Sequence, residues 1–235
     1  EDSVGLLWLG TLGSGISIFD PTTTNSIRLM NEDNVFSSLG SNVILAIHED
    51  SKKNIWVGTQ GSGLNKLAAE DRFSGNFNFE RIVREEGLPS NAVYGIVEDS
   101  EGFLWISTNR GITKYNPDTK QLLNYDSSHG LQGNEFNSGA YYKAKDGKLY
   151  FGGTNGVTAF YPEDISPNSH VPPVVLTKFQ KLNEVVSIDS LTPESNNIQI
   201  SHKDYLIAFE FAGLDYASPS NNRYKYKLEG FDEEW

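Results

Sequence analysis

The chain has 235 residues, with 31 acidic against 19 basic side chains, a formal net charge of -12 and no cysteine. That balance argues against nucleic acid or an anionic membrane surface as the partner, since both reward Lys and Arg. The missing cysteines exclude a disulfide framework and any thiolate metal site, and they suit an oxidising compartment such as a bacterial periplasm.

In chain order, Leu6 to Leu9, Ile16 to Phe19 and Ile27 to Met30 read as three short strands separated by Gly-, Asp- and Asn-containing turns. A set of four follows: Val43 to Ile47, Ile55 to Gly58, Leu64 to Leu67 and Phe77 to Ile82. The next set is Val93 to Val97, Phe103 to Ser107, Ile112 to Tyr115 and Gln121 to Tyr125. Apolar and β-branched residues fill these runs, and Asp99-Ser100-Glu101-Gly102 is typical of the turn chemistry between them. A last set runs from Phe136 to Phe160 without a clear outer strand.

The sets are copies of one phrase. Glu1-Asp2-Ser3 leading to Leu7-Trp8-Leu9-Gly10-Thr11 is answered by Glu49-Asp50-Ser51 leading to Ile55-Trp56-Val57-Gly58-Thr59. It is answered again by Glu98-Asp99-Ser100 leading to Leu104-Trp105-Ile106-Ser107-Thr108. In a looser fourth copy the aromatic is Tyr150, and the anchors stand 48, 49 and 45 residues apart. A repeat of that length with no helical pattern inside it predicts β-propeller blades, here two complete and two partial. The predicted fold is all-β: residues 1–165 form the C-terminal part of a propeller of about four blades or part-blades. So few blades leave an open arc with an exposed sheet edge, which predicts a cover supplied by a second copy or by chain outside this sequence.

From Tyr161 to Pro173 the composition turns to that of a linker, and the repeat ends. Val174 to Phe179, Val185 to Ile188, Ile198 to Ser201, Leu206 to Ala212 and Tyr224 to Leu228 then read as strands. Residues 166–235 are predicted to be the N-terminal part of an immunoglobulin-like β-sandwich. The chain opens inside one repeat and stops inside another unit, and no signal peptide or transmembrane segment is visible, so it reads as a piece of a longer protein.

Two phrases go further than the repeats: Gly130-Leu131-Gln132-Gly133-Asn134-Glu135-Phe136-Asn137 with its continuation to Tyr161-Pro162, and Arg223-Tyr224-Lys225-Tyr226-Lys227-Leu228-Glu229-Gly230. Together with the Asp…Leu-Trp…Gly/Ser-Thr repeats they resemble the two-component-regulator propeller family and its appended Y_Y_Y immunoglobulin-like domain. The resemblance implies the periplasmic sensor region of an inner-membrane receptor whose output is a histidine kinase, often hybrid, or a diguanylate cyclase. It also implies a closed ring of commonly seven blades, a homodimer through the Y_Y_Y domain, and membrane attachment through a C-terminal segment outside this sequence. Its ligand class stays open among oligosaccharide, peptide and small metabolite. A scaffold for a protein partner, or a propeller lyase or hydrolase, are the alternative functions, since a fold alone does not set a function.

Trp8, Trp56, Trp105 and Tyr150 are expected to be structural anchors between neighbouring sheets rather than sugar-stacking platforms. Asn42, Asn91 and Asn134 recur just before the inner strands. They are the ligand-binding candidates, weighed against a role in satisfying their own turn backbone. Arg110 is a further candidate, assigned to the opposite face. Glu49-Asp50 and Glu98-Asp99 repeat with the blades and read as turn residues. His48, His129, His170 and His202 show no zinc-site spacing, and no D-x-D-x-D-G calcium loop occurs, so no metal, cofactor or catalytic residue is predicted.

Overall fold

The computed structural model describes residues 1–165, 173–182, 184–186, 200–214, 224–227 and 229–230. The chain divides into two compact units, Glu1–Ser166 and Pro167–Trp235.

The first unit is four small antiparallel sheets in sequence order. Blade 1 holds β1 (Leu7–Gly10), β2 (Ile16–Phe19) and β3 (Ser26–Leu29). Blade 2 holds β4 (Ile44–Glu49), β5 (Ile55–Thr59), β6 (Leu64–Leu67) and β7 (Phe79–Ile82). Blade 3 holds β8 (Val93–Glu98), β9 (Leu104–Thr108), β10 (Gly111–Tyr115) and β11 (Leu122–Tyr125). Blade 4 holds β12 (Phe136–Lys143), β13 (Leu149–Gly153) and β14 (Gly156–Phe160). Each blade is an up-and-down meander, as short hairpin connections require. The inner strands β4, β8 and β12 each begin with a register shift against the next strand, the mark of a β-bulge.

The core lies between blades rather than inside any one of them, because a single twisted sheet is apolar on both faces here. Ile16, Ile18, Ile44, Val57 and Leu67 join blades 1 and 2. Trp56, Leu64, Val93, Ile96, Ile106 and Tyr115 join blades 2 and 3. Val97, Trp105, Phe136, Leu149 and Phe151 join blades 3 and 4. Trp56 meets Tyr115 edge-on at 5.7 Å and Trp105 meets Phe160 at 4.8 Å, so each indole packs onto the next blade. Burying one such apolar side chain contributes about 1.5–3 kcal/mol. On the terminal blades Leu9, Leu12 and Ile27, and at the other end Tyr142 and Val157, stay exposed.

One element inside the repeat was not expected from the sequence. Ala69–Ser74 forms a short helix, α1, in the connection from β6 to β7. Glu70 and Asp71 sit in its first turn, where the helix dipole favours negative charge, and Gly75 closes it in the left-handed conformation at φ +80°. The strand expected from Phe77 accordingly starts two residues later, at Phe79.

The described part of the second unit is one antiparallel sheet in the order β16 (Glu184–Val186), β15 (Val174–Lys181), β17 (Ile207–Gly213). Phe179 is buried against Phe209 at 5.0 Å between ring centroids. The strand expected over Tyr224 to Leu228 is not formed at Tyr224–Lys227, where no ladder pairing occurs. Tyr224 instead sets its ring against Phe211 at 5.1 Å and accepts the Gly213 N–H on its hydroxyl at 2.9 Å. Of the strand expected over Ile198 to Ser201, residues 198 and 199 lie outside the described residues, and Ile200 and Ser201 are not strand.

Candidate functional site

The three recurrent asparagines do the same work in each copy. A blade-connecting loop must turn back from an outer strand to the next inner strand, which leaves backbone N–H groups without ladder partners. Asn42 Oδ1 accepts the N–H of Asn31, Asn91 Oδ1 that of Arg84 and Asn134 Oδ1 that of Ser127, at 2.8, 2.8 and 2.7 Å. Their backbone carbonyls reach the preceding blade. Asn42 O accepts from Gly13 and Gly15, Asn91 O from Gly61 and Gly63, and Asn134 O from Gly111. A β-carbon on Gly63, at φ +66°, would stand 2.2 Å from Ile82 O, so only glycine closes this turn. The asparagines thus bind both their own loops and the neighbouring blade. Among the described residues each Nδ2 makes no hydrogen bond to protein, and these amides are held in place by the bonds on Oδ1.

Arg110 lies at this same end and not on the opposite face. Strands β8 and β9 are antiparallel, so the chain that leaves the Asn91 end along β8 returns to it along β9. The turn before β10 therefore sits beside Asn134, whose carbonyl accepts the Gly111 N–H at 2.6 Å. Arg110 is exposed, and its backbone N–H donates to Thr108 Oγ1 at 2.9 Å. Near the first of these loops Asn31, Glu32, Asp33, Phe36 and Arg81 line a recess of about 250 Å³.

The opposite end of the strands explains the repeated phrase. Asp2, Asp50 and Asp99 accept the indole N–H of Trp8, Trp56 and Trp105 at 2.7, 2.7 and 2.8 Å. Each also accepts backbone N–H bonds from its own turn. The preceding glutamate reaches one blade back. Glu49 accepts both the N–H and the hydroxyl of Ser3, and Glu98 those of Ser51, at 2.6–2.8 Å. The acidic pairs are therefore blade-to-blade clasps as well as turn residues. Blade 4 drops the pattern: by ladder register Lys143 stands where Glu49 and Glu98 stand, and Tyr142 where His48 and Val97 stand.

Arg72, on α1, is the residue the repeat did not reveal. It is 6% exposed and donates to Asp2 at 2.6 Å and Glu49 at 2.7 Å across the junction of blades 1 and 2. Burial pushes the Asp2 carboxyl up, but bonds from Trp8, Leu6 and Val4 and the Arg72 charge outweigh it and hold the group below its usual range. For Glu49 burial is likewise outweighed, by Ser3 and Arg72.

At the same end His48, Ile96, Glu98, Tyr141, Tyr142 and Lys143 line a recess of about 310 Å³ between the inner strands of blades 2, 3 and 4. His48 Nε2 is buried with no hydrogen-bond partner and lies 4.0 Å from Glu98. Burial pushes the imidazole below its usual value, and the negative charge of Glu98 only partly offsets this. The signal for these residues was departure from the repeat, visible once the register is known.

Residues 38–61 and 87–110 match the model of the two component regulator propeller, each match covering a connecting loop, an inner strand and the strand after it. Blades 2 and 3 thus carry two-component-regulator propeller repeats. A histidine kinase of Formosa agariphila, Histidine kinase P4, is 34% identical over an alignment of 286 positions, which takes in 100% of this chain and 21% of the relative. The extracellular domain assigned to hybrid two component system BT3049 of B. thetaiotaomicron superposes with a TM-score of 0.70 at 32% identity. That match covers 93% of this chain and 29% of the solved one. The chain therefore spans less than a third of either relative.

Proposed function

We propose that this chain is part of the extracytoplasmic ligand-sensing region of a bacterial membrane receptor, with its own residues non-catalytic and its output a histidine kinase. The observation that carries the reading is the likeness, over 93% of the chain at 32% identity, to an extracellular domain of a hybrid two-component system. The relative named a histidine kinase favours the kinase over a diguanylate cyclase. In this reading the compartment is the periplasm. The ligand meets the propeller through preorganised donors such as the amides of Asn42, Asn91 and Asn134, with Arg110 beside them. The second unit is the start of the immunoglobulin-like sandwich through which receptor protomers pair. Occupancy biases the pairing between two arrangements, and the kinase reads the bias.

Two measurements test this. Alkaline phosphatase fused after Trp235 in the intact gene product is active if this region is exported; an inactive, stable fusion refutes the placement. Deleting residues 1–165 from the intact gene product changes autophosphorylation if the region governs a kinase. An unaltered phosphorylation level under growth conditions that normally change it refutes the sensor role.

A further inference from the structure

The recess that His48 and Lys143 share carries an assignment of its own. In blades 2 and 3 the last inner-strand residue is a glutamate that clasps the serine of the previous turn. In blade 4 that residue is Lys143, and Ser100, the serine it would clasp, makes no side-chain bond among the described residues. Lys143 Nζ donates instead to the Glu98 carbonyl at 2.8 Å, which leaves two of its three N–H donors unspent. Ser51 donates to both Glu98 oxygens, and His48 Nε2, 4.0 Å from that carboxylate, is not hydrogen-bonded to it.

The groups left over around the recess are therefore mostly donors: Lys143 Nζ, the hydroxyl of Tyr141, and Nε2 of His48 in its Nε2–H tautomer. Of the carboxylates nearby, Glu49 is ion-paired with Arg72, while Glu98, hydrogen-bonded by the neutral Ser51, keeps its charge. Their residual field favours one negative charge on a ligand over two. The walls supply a flat apolar seat. Tyr141 lies against Gly95, where any β-carbon would stand 2.4 Å from its ring. At about 310 Å³ the space falls at the small end of ligand sites.

We propose that this recess binds a small monocarboxylate with a planar apolar body, its carboxylate held by Lys143 and His48 and its body against the Tyr141 ring. The site is distinct from the asparagine end, and its role as a signal input rests on the sensor reading. The probes are sodium benzoate, phenylacetate and indole-3-acetate, each paired with its neutral amide. They are titrated into the 235-residue chain to about 20 mM, the range in which fragment-sized ligands saturate, at constant ionic strength.

The readout is the His48 Cε1–H resonance, assigned with His48→Gln, and the Ile96 methyl resonances. At least one carboxylate is expected to shift both saturably, with its amide roughly tenfold weaker or worse, since a charge-assisted bond is lost. Lys143→Met is expected to lose the shift and Lys143→Arg to keep it. Tyr141→Leu, which keeps apolar volume against Gly95, weakens binding even if Lys143→Met melts early, and Tyr142→Ala, on the other face of β12, leaves it unchanged. No saturable shift with any of the three acids, equal shifts with the amides, or full binding by a folded Lys143→Met overturns the assignment. Saturable binding that leaves autophosphorylation of the intact receptor unchanged keeps the site and removes its signalling role.

Discussion

Asp99→Ala tests the clasp logic most directly. Asp99 is 5% exposed and accepts three bonds: from the Trp105 indole at 2.8 Å, the Glu101 N–H at 2.9 Å and the Phe103 N–H at 3.0 Å. Bonds to a charged acceptor contribute about 1.5–3 kcal/mol each, but the two backbone donors border an exposed turn and recover water when the carboxylate is removed. The Trp105 indole, 1% exposed and enclosed by Tyr125 and Phe160, does not. A buried donor left unpaired costs about 1–3 kcal/mol, and with some loss of turn order the expected destabilisation is about 3 kcal/mol. With an m-value of about 2 kcal/mol per molar, the urea midpoint followed by circular dichroism falls by about 1.5 M. Asp99→Asn keeps one side-chain acceptor and is expected to lose about half as much. A fall below about 0.3 M for Asp99→Ala, the scale of an ordinary surface substitution, refutes the claim that the carboxylate holds the indole.

Three further outcomes follow from the same geometry. Ser51→Ala removes a 2.6 Å bond to Glu98 and is expected to destabilise by about 1–2 kcal/mol, whereas Ser100→Ala, opposite Lys143, is expected to stay within about 0.5 kcal/mol by urea unfolding. Gly58→Ala places a β-carbon 2.7 Å from Val93 Cγ1 and 2.8 Å from Val93 O, and is expected to cost about 1–3 kcal/mol, partly relieved by Val93→Ala in the double variant. Burial, with a smaller contribution from Glu80, pushes the Tyr115 hydroxyl up to about 12. Its folded value is thus above its unfolded one of about 10, so the stability it contributes is complete below pH ~10 and lost as pH rises toward 12. Ultraviolet titration of Tyr115→Phe should lack the last tyrosinate step; an unchanged step refutes the assignment.

The strands and the blade count were legible because two signals agreed: alternation of apolar residues every second position, and turn residues at fixed offsets from a tryptophan. Helix α1 was not, because six residues carry too little periodicity to register against a strand background, and its anchor Arg72 bonds to residues 70 and 23 positions away. The Glu-Asp pairs were visible as a repeat, but their reach of 46 and 47 residues to Ser3 and Ser51 is a property of neighbouring blades, not of local sequence. The same holds for Arg110, whose face is decided by the antiparallel return of β9. His48 was weighed only as a metal ligand and Lys143 drew no attention, because a departure from a repeat can be seen only after ladder pairing fixes which positions correspond. Tyr224 to Leu228 looked like a strand on aromatic content alone, and Tyr224 is instead engaged by Phe211 and the Gly213 N–H.

The serine–glutamate clasp gives the array a direction. Every clasp is lent backward, from a blade to the one before it, so removing a blade from the C-terminal side strips a bond from its predecessor, while removal from the N-terminal side leaves the successor's own turn intact. Under load the array is therefore a ratcheted strip rather than a symmetric ring segment. A pull transmitted through the segment after Phe160 meets first the junction of blades 3 and 4, the one place where Lys143 replaces the clasp. That joint is held at this end by the single Lys143 bond to the Glu98 carbonyl in place of a two-bond clasp, and it borders the recess that His48 and Lys143 share.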